Sequence, residues 1–267
     1  MATARVNGTH LYFETIGSGA PLLMLHGNGL DHTYLRPWHD PLADRARVIY
    51  YDQRGNGRSG RSATADHARL HDDAIALLDH LGEAKATVYG HSYGAWLAQG
   101  LAARYPDRVE RLILCATSPA FDYIDEVIAT AQARNPTAAA ALISGLAPGA
   151  ITTDAELAHV WHNILPLYFT GAPRQDILDH VLFSAEGFSR SMEALAGFSM
   201  VDKLPSLATP ILVLVGRDDY ITPPSQARRL AALAPNATVT ELEHSGHFPF
   251  VEEPDAYLAA IRWWWQS

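Results

Sequence analysis

The sequence predicts a doubly wound α/β protein with a mainly parallel β-sheet. Three features support this fold class: short continuous runs of Val, Ile and Leu, helix-patterned segments that alternate with those runs, and a length of 267 residues of which 48% are hydrophobic. Apolar runs without polar alternation are typical of strands that are buried on both faces of a parallel sheet. A chain of this length is also long enough to bury a large core.

The strands are predicted from the apolar runs, several of which end in glycine-containing turns. In chain order the predicted strands are Arg5–Asn7, Leu11–Ile16, Pro21–Leu25, Val48–Tyr51, Thr87–Tyr89, Val109–Cys115, Ile211–Val215 and Thr238–Leu242. The loops that follow parallel strands meet at one edge of the sheet, because those strands all run in the same direction. Functional side chains are therefore expected at that edge.

Helix-patterned segments fill the intervals between the strands. They are Leu70–Leu81, Tyr93–Tyr105, a segment from Pro223 through Leu233, and Ala256–Trp265. Proline stands at or just before the start of the last two, where its fixed φ angle favours a first helical turn. Residues 118–200 break the alternation, because they are rich in alanine and aromatic residues with helical spacing. We therefore predict a core of residues 1–117 and 201–267, with a helical lid of residues 118–200 inserted into it.

Charge and cysteine content narrow the class of function. The chain has 20 Lys and Arg against 29 Asp and Glu, which gives a formal net charge of −9. A negative protein repels phosphate backbones and anionic lipid, which argues against nucleic-acid and membrane partners. Cys115 is the only cysteine, so no intrachain disulfide can form, and we interpret it as a core residue. Without a targeting segment or an apolar run of bilayer length, the expected location is cytoplasmic.

The motif that carries most information is Gly90–Gly94, which reads G-x-S-x-G between a predicted strand and a predicted helix. In that context it predicts a nucleophile elbow, a strained turn that lifts the side-chain oxygen of Ser92 above the sheet edge. Glycines are needed two residues to either side, because a Cβ there would collide with the neighbouring strand or helix. The helix N-terminus also offers the backbone N–H of Tyr93 and a dipole that favours negative charge.

A second glycine-containing loop, His26–Gly29, closes an earlier strand. An acyl-transfer site needs two hydrogen-bond donors for the oxygen of its tetrahedral intermediate, and the N–H of Asn28 is able to supply the second. We therefore predict an oxyanion hole made of the backbone N–H groups of Asn28 and Tyr93.

A serine nucleophile needs a base within hydrogen-bond reach. His244 and His247 both follow the last predicted strand; His247, in a loop with a preceding glycine, is the preferred base and His244 the alternative. A carboxylate is then needed to orient the imidazole. Asp219 and Asp218 directly follow a buried strand, with Asp219 preferred. The predicted catalytic set is Ser92, Asp219 and His247.

These motifs together resemble the α/β-hydrolase family over nearly the whole chain, and the order Ser, Asp, His along the chain matches that family. Tyr51–Ser59 resembles the D-Q-R-G-x-G-x-S stretch of the proline iminopeptidase branch, and Gly246–Pro254 resembles the superfamily's G-H-x-x-x-x-E-x-P histidine loop. The family's acid lies three residues after the glycine of a G-x-x-D turn, which supports Asp219. The resemblance implies an α/β-hydrolase fold and a Ser-Asp-His triad.

The chain departs from the iminopeptidase branch in the loop after the third predicted strand, and the lid carboxylates of that branch have no residue-by-residue match here. That branch usually carries H-G-G-P-G where this chain has His26–Leu30, and its lid supplies carboxylates that bind a free amino terminus. The lid acids available for that role are Asp125, Glu126, Glu186 and Glu193. The elbow serine also separates the chain from dehalogenases and epoxide hydrolases of this fold, which use aspartate at that position.

Two further groups of polar residues are interpreted as structural. Asp52, Arg54 and Gly57 are expected to form a tight loop held by a buried Asp–Arg contact. His67 and His71 stand one helical turn apart, a spacing that can chelate a metal. Because they lie on a polar helix face, we expect them to be solvated instead.

The sequence thus predicts a serine hydrolase, with no cofactor and no metal, that cleaves a carboxylic ester or amide through an acyl-enzyme. A carboxylesterase or lactonase and a proline iminopeptidase-like aminopeptidase are the two alternatives for its activity. The expected substrate is correspondingly a small-molecule ester, a lactone or a short peptide. A ligand-binding module on the same fold, with little or no turnover, is an alternative of a different class, since fold alone does not fix function.

Overall fold

A computed structural model describes residues 2–61, 66–147 and 149–266. Its centre is an eight-stranded sheet with the strand order β1-β2-β4-β3-β5-β6-β7-β8. The strands are β1 (Ala2–Val6), β2 (Thr9–Ile16), β3 (Ala20–Leu25), β4 (Ala46–Tyr51), β5 (Ala86–His91), β6 (Val109–Cys115), β7 (Ile211–Gly216) and β8 (Ala237–Leu242). The pairs β1–β2 and β2–β4 are antiparallel, and all other neighbours are parallel. The predicted fold class is confirmed.

Helices connect the parallel strands, as their alternating pattern predicts. The described helices are α1 (His67–His80), α2 (Tyr93–Arg104), α3 (Ile124–Arg134), α4 (Pro136–Leu146), α5 (Asp154–Ile164), α6 (Ala185–Leu195), α7 (Pro224–Leu233), α8 (Pro249–Glu252) and α9 (Pro254–Gln266). Helix α2 packs on β5 and β6, while α7 and α9 pack on β7 and β8. Among the described residues, no helix is both long enough and apolar enough to cross a membrane.

The central strands are apolar throughout because both of their faces are covered. Every residue from 211 to 215 in β7 is fully buried, and so is every residue from 22 to 25 in β3. Cys115 at the end of β6 is buried as well, as its interpretation as a core residue requires. Because β3, β5, β6, β7 and β8 run parallel, the loops that follow them open at the same edge of the sheet.

The amino-terminal pair β1–β2 is a hairpin rather than part of the parallel sheet. Asn7 and Gly8 form its two-residue turn, with φ angles of 46° and 74°. Positive φ at both central residues is the geometry of a type I′ turn, whose twist matches the twist of the flanking strands. Asn7, which the apolar pattern assigned to a strand, is therefore a turn residue.

The segment between β6 and β7 contains α3, α4, α5 and α6, which pack against one another in sequence order. Its two ends come together in a short antiparallel bridge between Ala120 and Ser199. There the N–H of Phe121 donates to the carbonyl of Phe198 at 3.1 Å. The chain thus leaves and re-enters the sheet at nearly the same place. Residues 118–200 are called the helical segment below.

Candidate active site

Ser92 occupies the sharp turn between β5 and α2. Its φ and ψ angles are 53° and −119°, a combination that side-chain-bearing residues rarely adopt and that neighbouring structure must hold in place. The flanking glycines permit the turn: a Cβ on Gly90 would lie 2.3 Å from the carbonyl oxygen of Gly94, and one on Gly94 would lie 2.2 Å from that of Leu25. These two close approaches explain the spacing of the motif.

The Ser92 hydroxyl is left available by this geometry. Ser92 is the residue that precedes α2, a position where serine usually accepts a hydrogen bond from the first helical turn, yet its side chain makes no such bond. Tyr93 is the first residue of α2, so its N–H has no acceptor within the helix. The half-buried Ser92 hydroxyl therefore lies next to the N–H of Tyr93, which has no acceptor in the helix and lies at the positive end of the helix dipole.

His247 and Asp219 form a buried pair. The Nδ1 of His247 lies 2.9 Å from Oδ2 of Asp219, and both side chains are about 1% exposed. Because a carboxylate only accepts, the Nδ1 carries the proton and the Nε2 keeps a free lone pair. That Nε2 is buried and has no hydrogen-bond partner among the described residues. The imidazole thus has the tautomer that a general base requires.

The Asp219 carboxylate is held by its own turn. Its Oδ1 accepts from the N–H groups of Ile221 and Thr222, each at 2.9 Å, and its Oδ2 accepts from the Thr222 hydroxyl at 2.6 Å. Sequence reasoning did not single out Thr222. The signal was present, because an aspartate followed by a threonine just before Pro223 is typical of a side-chain-capped turn at a helix start.

The two alternatives for base and acid lie elsewhere. His244 is exposed, and its backbone N–H donates to Glu253 at 2.8 Å. Asp218 is half-buried and accepts from the Tyr220 hydroxyl at 3.2 Å. Of the four candidates, His247 and Asp219 are the two that the structure brings together.

The loop after β3 carries Asn28 at the wall of the same cavity as Ser92 and Tyr93. Its side chain accepts a hydrogen bond from the Ser191 hydroxyl of α6. The next residue, Gly29, accepts from the N–H of Ser184 at 2.9 Å. The loop that is predicted to hold the oxyanion is therefore fastened to the helical segment.

The cavity above Ser92 has a volume of about 100 Å³ and is partly open to solvent. Ser92, His247, Asn28 and Tyr93 lie at one side of it, and the helical segment supplies most of the rest. Its walls are apolar and include Leu142, Val160, Trp161, Phe188 and Met192. No Asp, Glu, Lys or Arg is among the described residues that line it.

The four acids of the helical segment that were considered for binding an amino terminus do not line this cavity. Asp125, Glu126 and Glu193 are exposed, and Glu186 forms a salt bridge with Arg190 one helical turn away. The structure thus places no carboxylate of this set where it would bind the amino terminus of a peptide.

The histidine loop is fastened by Glu252, the acid of the G-H-x-x-x-x-E-x-P motif. Its two carboxylate oxygens accept from the N–H of Gly246 at 2.7 Å and from the N–H of Thr170 at 2.8 Å. The N–H of His247 itself donates to the carbonyl of Tyr168 at 2.8 Å. Glu252 therefore joins the loop that carries His247 to the helical segment.

The loop of Asp52 and Arg54 is structural, but its contacts differ from a direct pairing of those two residues. Arg54 forms a buried two-point salt bridge with Asp73 of α1, at 2.6 and 2.7 Å. Asp52 bonds with the Nδ1 of His32 at 2.6 Å and accepts from the N–H of Arg58 at 2.7 Å. Asp73 of α1 is thus a buried partner of this loop.

The same burial corrects the expectation for the two histidines of α1. His71 is 5% exposed, and its Nε2 donates to the carbonyl of Leu97 at 3.0 Å. Burial lowers the pKa of His71 to about 4, since a charged imidazole would lose its hydration there. His67 is half-buried and packs against the rings of Tyr93 and Phe198. His71 is therefore shielded from solvent, whereas His67 is partly exposed.

One group of potential metal ligands exists among the described residues. Oxygen and nitrogen atoms of Asp31, His32 and Asp52 lie within 4.8 Å of one another. Hydrogen bonds already occupy them, because Asp31 accepts from the N–H of Leu182 at 3.1 Å and Asp52 holds the imidazole of His32. The cluster is therefore explained as the joint between the loops after β3 and β4.

Comparison with known proteins defines the class. A sequence model of the α/β hydrolase fold family matches residues 20–254. The chain therefore belongs to the α/β-hydrolase family, as its motifs and sheet order indicate.

Relatives in this family are hydrolases of different kinds. A 3-oxoadipate enol-lactonase 2 of Acinetobacter baylyi is 32% identical, over 94% of this chain and 91% of the relative. The proline iminopeptidase PfmaB of Pestalotiopsis fici is 28% identical, over 96% of each chain. A malate-bound thermophilic esterase from Thermogutta terrifontis superposes with a TM-score of 0.77 at 28% identity, over 99% of this chain and 96% of that one. The protein is accordingly a hydrolase by class.

Proposed function

We propose that the protein is a serine carboxylesterase that acts on neutral esters or lactones with an apolar acyl group. The observation that carries the proposal is that Ser92 and the unpartnered Nε2 of His247 face one cavity whose described walls hold no charged residue. A carboxylic ester needs a nucleophile, a base and an oxyanion site, but no group that binds a charge.

In the proposed reaction, the Oγ of Ser92 attacks the ester carbonyl while the Nε2 of His247 takes the serine proton. Asp219 holds the Nδ1–H and stabilises the imidazolium that forms. The alcohol then leaves with the proton from Nε2, and the acyl group remains on Ser92. Water, deprotonated by the same nitrogen, hydrolyses that ester. No cofactor or metal takes part in these steps.

The negative oxygen of each tetrahedral intermediate is proposed to lie between the N–H groups of Asn28 and Tyr93. Each such donor is worth about 3 kcal/mol in comparable sites. The hydrogen bond between Ser191 and the Asn28 side chain supports this role, because it holds the loop in place without using the backbone N–H.

The apolar cavity walls favour a substrate with an apolar acyl group over a peptide with an amino-terminal proline. Small-molecule sites are mostly apolar with a few placed polar groups, and the described walls of this cavity hold no charged residue. A free amino terminus would need a carboxylate partner in such an apolar site, whereas the lid acids are exposed or paired with arginine. An aminopeptidase is thus the less favoured activity. Residues 118–200 are proposed to act as the lid, and a cytoplasmic location remains a prediction.

The test is a substrate panel measured together with fluorophosphonate labelling of the protein. Short and medium acyl p-nitrophenyl esters, a lactone and a prolyl arylamide are compared for wild type and Ser92→Ala. We expect ester turnover and covalent labelling in the wild type and at least a 10³-fold loss of both in Ser92→Ala, with an unchanged melting temperature. Preferred cleavage of the prolyl arylamide would replace the esterase with the aminopeptidase. A single stoichiometric burst without turnover would support the binding module instead.

A further inference from the structure

Three hydrogen bonds connect the loops that surround the proposed site, and none of them involves the proposed triad side chains. The Tyr34 hydroxyl accepts from the N–H of Gly27 at 2.7 Å and lies 2.9 Å from the Nδ1 of His91. The Nε2 of His91 lies 2.9 Å from the carbonyl oxygen of His247. Tyr34 and His91 are both 1% exposed. This chain of contacts is called the Tyr34–His91 bridge below.

The direction of each bond in the bridge follows from the groups that take part. The His247 carbonyl can only accept, so the Nε2 of His91 carries the proton and the Nδ1 is the acceptor. The Tyr34 hydroxyl therefore donates to Nδ1, and its oxygen remains free to accept from Gly27. Because every donor and acceptor has one partner, the bridge has a single arrangement. Burial and the neighbouring His247 lower the pKa of His91 well below its usual value, which keeps the ring neutral.

The bridge includes backbone groups of the oxyanion loop and of the loop that carries His247, and one of its residues directly precedes Ser92. Gly27 directly precedes Asn28, His91 directly precedes Ser92, and the carbonyl that His91 holds belongs to His247. A shift of the Tyr34 ring would therefore move the oxyanion loop and the base relative to the serine. Displacements of about 1 Å in such a site cost large factors in rate.

We propose that Tyr34 and His91 are positioning residues that set the geometry of the oxyanion loop and of the His247 loop around Ser92. This inference rests on the proposed function, since it assigns those loops to catalysis. It adds two residues that exchange no proton with the substrate and act through the loops that they hold. It also explains why the elbow residue before the serine, which the G-x-S-x-G pattern leaves open, is a histidine here.

The test compares two tyrosines in similar buried networks. Tyr34→Phe removes the hydroxyl of the bridge. Tyr257→Phe is the matched control, because the Tyr257 hydroxyl also joins a histidine, His39 at 3.0 Å, to another group, the Tyr89 hydroxyl at 2.9 Å. We expect Tyr34→Phe to lower kcat for a short ester about tenfold with KM within twofold. Tyr257→Phe should lower the melting temperature similarly and leave kcat within twofold.

A second variant, His91→Gln, tests the other half of the bridge. With its amide nitrogen at the position of the imidazole Nε2, glutamine keeps a donor to the His247 carbonyl. Its amide oxygen then lies away from the position of Nδ1, so the Tyr34 hydroxyl loses its acceptor. We expect the same fall in kcat, and no further fall in the double variant Tyr34→Phe/His91→Gln, because both changes break one unit. If Tyr34→Phe does not fold, the kcat of His91→Gln still tests the positioning role of the bridge.

Three outcomes would overturn the positioning role. They are a kcat of folded Tyr34→Phe or His91→Gln within twofold of wild type, an equal kcat loss in Tyr257→Phe, and multiplied losses in the double variant. Each is measured against wild-type ester turnover and against Ser92→Ala. A wild type without ester turnover would instead remove the proposed function, so the two failures are distinguishable.

Discussion

The sheet edge and the helical segment 118–200 are built in different ways. At the sheet edge, buried polar groups hold one another through short hydrogen bonds, as Asp219 does with Thr222 and His247. In the helical segment, the surface that faces the cavity is made of apolar side chains such as Leu142 and Trp161. Apolar packing does not require the directional alignment that a hydrogen bond requires. Directional bonds define one geometry, whereas apolar packing tolerates changes of shape at similar volume.

The histidines show the same contrast. The buried histidines, among them His71 and His91, all lie in the sheet region, although that region also has exposed ones such as His244. The histidines of the helical segment are all exposed; these are His159, His162 and His180. Under the proposed function, we expect the chemistry and the pH response of the protein to depend on the sheet region. We expect selection among substrates to depend on the helical segment, where residues can change without disturbing the buried polar groups.

The largest effect is expected from a change at the sheet edge. Asp219→Asn keeps the size of the side chain but removes the charge that fixes the His247 tautomer. The imidazole of His247 is then free to carry its proton on Nε2, where it cannot act as a base. The kcat for esters should therefore fall about 10³- to 10⁴-fold with the fold intact. Steady-state kinetics and a melting curve provide the measurement.

Asp218→Asn is the matched control, since the neighbouring carboxylate contacts Tyr220 and not His247. Its kcat should stay within a few-fold of wild type. If the two variants lost activity equally, the sheet edge would not have the single fixed geometry on which the comparison depends.

A change in the helical segment should alter selectivity and leave the chemistry intact. Leu142→Phe on α4 places a larger side chain in the cavity wall and leaves less room for the acyl group. The ratio of kcat/KM for medium over short acyl esters should therefore fall about 10- to 100-fold. The kcat for the shortest ester should change little. Ile143→Phe is the control, because the adjacent side chain is 38% exposed and lies outside the cavity. An equal loss on short and medium esters would mean that the wall also positions the catalytic groups.

The smallest effect concerns stability against pH. His71 has a pKa of about 4 in the fold and an ordinary pKa near 6.5 when unfolded. Between these values the unfolded chain binds more protons, so the free energy of unfolding falls as pH decreases, by at most about 1.4 kcal/mol per pH unit for this group. His71→Gln keeps a donor for the Leu97 carbonyl and should flatten the curve between pH 6.5 and 4.

Urea denaturation at several pH values measures this slope. His159→Gln, an exposed histidine of the helical segment, should leave the slope as it is in the wild type. A wild-type slope that His71→Gln does not reduce would contradict the assignment of the pH response to the buried histidines of the sheet region.

The strands were predictable because burial on both faces leaves a direct trace in the sequence. Residues 211–215 are all apolar and all buried, and the glycine spacing of residues 90–94 follows from two backbone approaches that a Cβ would block. The first residue of the hairpin turn was assigned to the strand Arg5–Asn7, although Asn7 followed by Gly8 is a strong signal for such a turn.

Polar residues were harder to place, because a polar side chain is read as solvated unless its buried partner is known. His71 was expected in solvent, and the partner of Arg54 was not foreseen to be Asp73, 19 residues away. Tyr34 is 57 residues from His91, and no local pattern connects them. Such partners become visible only when the chain is folded.

The sequence by itself determined the order of strands and helices along the chain, the strained elbow at Ser92 and the preference for Asp219 and His247 over their neighbours. Each of these depends on local periodicity, on backbone sterics or on a short motif, which neighbouring residues specify. The tertiary structure alone decided which lid acids face away from the cavity and which hydrogen bonds join the loops around it. Those contacts join residues that are distant along the chain, so their geometry depends on how the whole sheet and the helical segment pack together.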